Sequence, residues 1–70
     1  MTSVPVQLRI WRVTYGMRQQ DAADAFGCSL ATWSRWERGI SVPSGADWRE
    51  LQLLMSGPPS TWVRRLEVVP

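Results

Sequence analysis

The chain has 70 residues, enough for one domain, and a domain of this size buries only about 60% of its unfolded surface. One cysteine and no histidine exclude an internal disulfide and make a zinc or other metal site unexpected. The net charge is +2, no apolar run approaches the roughly 20 residues that cross a membrane, and the N-terminus does not read as a secretory signal. We therefore expect a cytoplasmic protein that does not bind a membrane or a cofactor.

All eight basic residues are arginine. A GC-rich genome explains this bias more simply than function does. The functional alternative is that the planar guanidinium suits phosphate and guanine recognition. The number of arginines therefore does not indicate DNA binding, and the role of each arginine has to be inferred from its position in the predicted helices.

The first predicted helix begins near Pro5, because proline fits the first turn, and it ends at Gly16. One face of this helix has the i, i+3, i+4, i+7 spacing of a buried stripe and is formed by Leu8, Trp11, Arg12 and Tyr15. The second helix begins near Arg18 or Gln19 and ends at Gly27, which can take a positive φ. Its inward residues are predicted to be Ala22, Ala23 and Phe26.

The third helix is predicted from Leu30 to about Arg38, with Ser29 as its N-cap and Gly39 as its end. Trp33 and Trp36 face inward by spacing, and Cys28 before the helix is predicted to fill a small apolar hole. A fourth helix opens at Pro43 or Ser44. Its buried stripe is predicted to consist of Trp48, Leu51 and Leu54 or Met55.

The run from Ser56 to Pro59 predicts a break, which divides the chain into a domain at 1–56 and a tail at 57–70. The tail favours a short helix followed by an extended end. It is also apolar, which for so small a domain predicts either dimerisation or packing back onto the core. The tail residues predicted to take part in dimerisation are Trp62, Val63, Leu66 and Val68.

Two short helices across a glycine turn form a helix-turn-helix, a unit that can place its second helix in the DNA major groove. In this region the chain resembles the Cro and phage-repressor (XRE-type) helix-turn-helix family. The matching residues are Gln19, Ala23, Gly27, Ser29, Trp36, Glu37, Gly39 and Pro43. The resemblance implies an all-α, compact four- to five-helix lambda-repressor-like fold and double-stranded DNA as the partner.

The resemblance also implies roles for residues around the third helix. Its outward residues would contact bases, and these are Leu30, Ala31, Ser34 and Arg35. Of these, only Arg35 can make a bidentate contact to guanine, whereas Leu30 and Ala31 can touch only a thymine methyl. Phosphate contacts are expected from Arg18, Gln19, Thr32, Arg38 and Ser41. The loop Ile40–Ser41–Val42 has no charge where relatives are usually basic, so we expect fewer phosphate contacts.

Arg12 and Glu37 match a structural ion pair of the family that links the first helix to the end of the third. Arg12 lies on the inward face of its helix, and a buried charge needs a partner. We expect this pair to stabilise the fold and to take no part in DNA recognition.

The leading functional interpretation is a sequence-specific transcriptional repressor that binds a pseudo-palindromic operator as a homodimer. Its size is typical of phage or mobile-element regulators, including autoregulators encoded beside anti-CRISPR proteins. The alternative is an antitoxin-like interaction module whose tail binds a partner protein. An enzyme is disfavoured because the chain has no histidine to act as the usual general base, and a small-molecule ligand is unexpected because no ligand domain is present.

Overall fold

The computed structural model describes residues 3–57. All regular structure in this range is helical: α1 (Val4–Thr14), α2 (Gln19–Phe26), α3 (Leu30–Arg38) and α4 (Gly45–Ser56). The predicted all-α fold is confirmed, with four helices in the described range. None of these helices is long and apolar enough to cross a membrane. The expectations for the tail from residue 58 onward lie outside the described residues.

Local signals in the sequence determine where α3 begins and ends. The Ser29 hydroxyl accepts a hydrogen bond from the Thr32 N–H at 3.1 Å, which satisfies one of the free N–H groups of the first turn. Gly27 before the helix has φ 95° and Gly39 after it has φ 74°. These left-handed conformations favour glycine, so a side chain at either position would strain the turn.

One cluster of buried side chains joins the four helices. Trp33 is completely buried, and its ring centroid lies 6.0 Å from that of Trp11 and 6.1 Å from that of Trp36. Three alanines on α2 leave room for these large rings, which bury much area in a small domain. The buried apolar residues are Leu8, Trp11, Ala22, Ala23, Ala25, Phe26, Trp33, Trp36, Leu51 and Leu54.

Three residues differ from the sequence-based expectation for the core. Tyr15 is 46% exposed; it follows the last residue of α1, and its ring centroid lies 6.5 Å from that of Trp11 in an edge-on contact. Trp48 and Cys28 are only partly buried at the margin of the core. Helical spacing identifies the inward face correctly but does not define how far burial extends across it.

Candidate nucleic-acid interface

The α2–α3 unit has the layout of a helix-turn-helix. α2 and α3 pack against each other, and α3 also packs against α1. The turn between them is three residues long in the range 27–29, and it begins with the left-handed Gly27. The inner side of α3 is anchored in the core by Trp33 and Trp36, so the opposite side of α3 faces outward.

The outward side of α3 carries the residues predicted to contact bases. Leu30 is 43% exposed, Ala31 and Arg35 are exposed, and Ser34 is partly buried. Because one turn of helix separates Ala31 from Arg35, these residues lie on a single strip of the surface. The structure therefore brings the four predicted base-contact residues onto one face.

The arginines near this face differ in how their charge is balanced. Within residues 3–57, neither Arg35 nor Arg38 pairs with a carboxylate. By contrast, the exposed Arg18 donates from Nε and Nη2 to the two carboxylate oxygens of Asp21 at 3.1 and 3.0 Å. The exposed positive charge of this unit is therefore concentrated at the C-terminal half of α3.

Asp21 also accepts the backbone N–H of Arg18 at 2.9 Å, which closes the first turn of α2. This is half of a capping box, because a guanidinium has no acceptor with which to return the bond. The hydrogen bonds from the Arg18 side chain and backbone lower the pKa of Asp21. Arg18 can reach a phosphate, since its side chain is 83% exposed, but Asp21 competes for it.

A buried carboxylate lies behind the outward face. The Glu37 side chain is 1% exposed and receives Arg12 Nε at 2.7 Å and Arg12 Nη2 at 3.0 Å, so the expected Arg12–Glu37 ion pair is present. Arg12 also donates from Nη1 to the Met17 carbonyl at 3.0 Å. Through these bonds α1 is tied both to the end of α3 and to the segment before α2.

Two further side chains donate to Glu37: Trp33 from its indole N–H, and Gln19 from Nε2 at 3.4 Å. Burial by itself raises the pKa of Glu37, but the hydrogen bonds from Arg12, Trp33 and Gln19 outweigh it, so the pKa lies below its ordinary value. Glu37 is therefore ionised at neutral pH. The Trp33 bond was not anticipated from the sequence, although the i, i+4 spacing of Trp33 and Glu37 permits it.

The remaining candidates for phosphate contact lie around α2 and α3. Gln19 is partly buried at the first residue of α2, with one amide hydrogen directed to Glu37 and the other still available. The Thr32 hydroxyl accepts a hydrogen bond from Ser29 at 2.9 Å, which leaves its own hydrogen for another acceptor. Arg38 and Ser41 are exposed.

The loop after α3 is apolar and exposed. Ile40 is 61% exposed and Val42 is 72% exposed. Its lack of charge was apparent from the sequence, whereas the degree of exposure was not. The residues predicted for dimerisation, Trp62, Val63, Leu66 and Val68, lie outside the described range.

Comparison with known families agrees with this geometry. Residues 6–52 match the model of a family described as a helix-turn-helix domain, and this range contains every described candidate residue of the interface. Neither the curated proteins nor the solved structures give a significant match.

Proposed function

Because this chain belongs to the helix-turn-helix domain family, we propose that it is a sequence-specific DNA-binding regulator that represses transcription. The observation that carries the proposal is the arrangement of α3. Its inner side is held by Trp33, Trp36 and Glu37, while Arg35 and Arg38 are exposed without a carboxylate partner in the described range. A fixed helix with a basic outer surface suits insertion into the major groove of DNA.

Direct reading of bases depends mainly on Arg35 in this proposal. A bidentate contact from its guanidinium to guanine O6 and N7 discriminates by about 1–3 kcal/mol. Leu30 and Ala31 contribute apolar contacts to thymine methyl groups, and Ser34 donates or accepts a single hydrogen bond. With one strong reader on α3, part of the specificity comes from the shape of the DNA.

Phosphate groups are held on both sides of α3 in this proposal. Gln19 and the N–H groups of the first turn of α2 bind one phosphate, since a helix N-terminus favours an anion. Arg18, Thr32, Arg38 and Ser41 bind phosphates next to it. The uncharged loop at Ile40 and Val42 adds no counterion release, so affinity falls less steeply with salt than for a family member with a basic loop.

Two copies bind a pseudo-palindromic operator in this proposal, with half-sites about one DNA turn, roughly 34 Å, apart. Occupancy of such a site within a promoter excludes polymerase, which accounts for repression. The small size fits an autoregulator of a phage or mobile element acting in the cytoplasm, for example beside an anti-CRISPR gene. We propose no catalytic role for any residue.

The proposal is tested by a gel shift with DNA from upstream of the protein's own gene, titrated with salt and random-sequence competitor. We expect a discrete complex that survives an excess of competitor. Equal displacement by operator and random DNA would reject a sequence-specific regulator. The antitoxin-like interaction module would then become the leading interpretation.

A further inference from the structure

The first turn of α3 presents apolar side chains, and not hydrogen-bonding ones, on its outer side. Leu30 is 43% exposed, and Ala31 next to it is also exposed. The neighbouring Ser29 hydroxyl is engaged within the cap, because it accepts the Thr32 N–H at 3.1 Å and donates to the Thr32 hydroxyl at 2.9 Å. A ligand that meets Leu30 and Ala31 therefore meets carbon atoms only.

The rest of α3 has no outward group that separates thymine from cytosine by hydrogen bonding. The cytosine amino group is selected by a carboxylate, and adenine by a side-chain amide. α3 contains no amide side chain, and its one carboxylate, on Glu37, is 1% exposed and is bonded to Arg12. Ser34 lies one turn beyond Leu30, and its hydroxyl both donates and accepts, so it suits thymine O4 and cytosine N4 equally.

We propose that Leu30 and Ala31 read the C5 methyl group of a pyrimidine, so that thymine and 5-methylcytosine are equivalent at this position and both are preferred to unmethylated cytosine. In the major groove thymine differs from cytosine in its oxygen acceptor and in its methyl group. Side chains without hydrogen-bonding groups sense only the second difference. This inference rests on the proposed DNA-binding function and adds that binding responds to methylation of cytosine.

The charge next to the apolar turn favours DNA, and not an apolar protein segment, as its occupant. Arg35 and Arg38 are exposed and have no carboxylate partner within residues 3–57. Arg35 lies one turn beyond Ala31, which corresponds to about 6 Å along the helix axis, and successive base pairs are about 3.4 Å apart. We therefore expect the methylated pyrimidine within about two base pairs of the guanine that Arg35 contacts.

A methyl scan of the operator tests this inference. The probe is the duplex that the wild-type protein protects upstream of its own gene, with each thymine replaced singly by deoxyuridine and each cytosine singly by 5-methylcytosine. Neither replacement alters base pairing. At one position per half-site we expect affinity to fall about fourfold when the methyl group is removed, or to rise about fourfold when it is added. This position should lie within about two base pairs of the guanine at which Arg35→Ala relaxes discrimination.

A base-pair exchange at the responsive position tests the equivalence directly. A 5-methylcytosine·guanine pair should bind as tightly as thymine·adenine, whereas unmethylated cytosine·guanine should bind as weakly as uracil·adenine. A preference for thymine over 5-methylcytosine as large as that over cytosine would overturn the inference, because it would show that hydrogen bonding decides.

Leu30→Ala separates a direct contact from an effect of the methyl group on DNA shape. The difference between methylated and unmethylated probes should shrink in Leu30→Ala. Leu53→Ala is the matched control, because it makes the same truncation at a residue of α4 that is 69% exposed, and it should retain the full difference. The Tm of each variant shows whether it is folded, and the scan with the wild-type protein decides the question if Leu30→Ala does not fold.

The outcomes distinguish this inference from the proposed function. A specific complex whose affinity is the same with and without the methyl group at every pyrimidine would overturn the inference and leave the proposed function intact. An equal methyl dependence in wild type and folded Leu30→Ala would also overturn it. Equal binding of operator and random DNA would reject the proposed function, and the inference with it.

Discussion

Glu37 accepts hydrogen bonds from side chains on three helices: Arg12 in α1, Gln19 in α2 and Trp33 in α3. Its side chain is 1% exposed, so its charge depends on these donors for compensation. The same carboxylate positions Gln19, a candidate phosphate ligand, relative to α3. Glu37 therefore affects both the stability of the domain and the geometry of the candidate interface.

Replacing Glu37 with alanine should unfold the domain more than it alters specificity. Removal of one partner from a buried pair costs about 3–5 kcal/mol, with a value near the lower end expected because Arg12 retains 18% exposure. Thermal denaturation measures this, and Glu50→Ala on the exposed surface of α4 is the control with the same chemical change. A normal Tm for Glu37→Ala would show that the ion pair is not important for the fold.

The stability of the domain should depend on pH through the ionisation of Glu37. Its pKa in the folded state is lowered from 4.5, so the stabilisation is fully present above about pH 4.5 and is lost as the pH falls through the lower folded value. Asp21 acts in the same direction, so wild type must be compared with Glu37→Gln. The difference in Tm between them should be constant above pH 5 and should shrink in acid. A difference independent of pH down to pH 2 would contradict a lowered pKa.

Arg35 and Arg38 should differ in what their loss does to DNA binding. Arg35→Ala should relax discrimination at one base position by about 1–3 kcal/mol, because a bidentate contact is lost. Arg38→Ala should weaken binding to all sequences alike and reduce the salt slope by about 1. Fluorescence anisotropy with operator and single-base variants measures both effects. Arg49→Ala removes the same charge from α4 as a control, and identical profiles for the two α3 variants would refute the assignment.

At the scale of elements, the orientation of α3 depends on both of its ends. The Ser29 cap fixes the first turn, and Gly39 ends the helix in a left-handed conformation. Leu30 and Ala31 are the first two residues after the cap. Fraying of this turn would therefore displace the part of α3 that we propose enters the DNA.

Ser29→Ala should destabilise the domain by about 1 kcal/mol, or about 4–8 °C in Tm, because the Thr32 N–H loses its acceptor. Circular dichroism gives the Tm, and an operator titration well below this temperature gives the affinity. Ser41→Ala, in the exposed loop, is the control and should leave the Tm nearly unchanged. Equal Tm values for the two variants would mean that the cap does not stabilise α3.

Helix positions were predictable because their signals are local. Ser29, Gly27 and Gly39 determine the ends of α3 through their own backbone and hydroxyl groups. The bond from Gln19 to Glu37 was not predictable, because it joins residues whose proximity depends on how α2 crosses α3. The exposure of Tyr15 was missed for the same reason, since periodicity contains no information about which neighbours cover a face.

At the scale of the whole molecule, residues 3–57 contain one helix-turn-helix and so one candidate recognition helix, α3. In the proposed function one α3 reads only a few base pairs, and a second copy supplies the rest of the site. The apolar residues exposed on the described surface, including Ile40 and Val42 beside α3, are compatible with contacts outside the monomer. The proposed homodimer therefore has a geometric consequence that can be measured on the DNA.

The two half-sites of the operator should be separated by about 10–10.5 bp between their centres. Inserting about 5 bp should abolish high-affinity binding, because it rotates the second half-site to the opposite side of the duplex, whereas inserting a full turn of about 10 bp should restore part of it. Footprinting on the natural and altered operators measures this. Equal affinity for all three spacings would exclude a rigid dimer on two half-sites.

The two sides of α3 are made of different residues, and this separation affects how the protein can evolve. Trp33, Trp36 and Glu37 hold the helix, while Ala31 and Arg35 lie on the surface and contribute little to the core. Exposed substitutions usually change stability by no more than about 0.5 kcal/mol. In the proposed DNA-binding role, target preference can therefore change without loss of the fold, and a library randomised at the outward positions should remain folded while acquiring new operators.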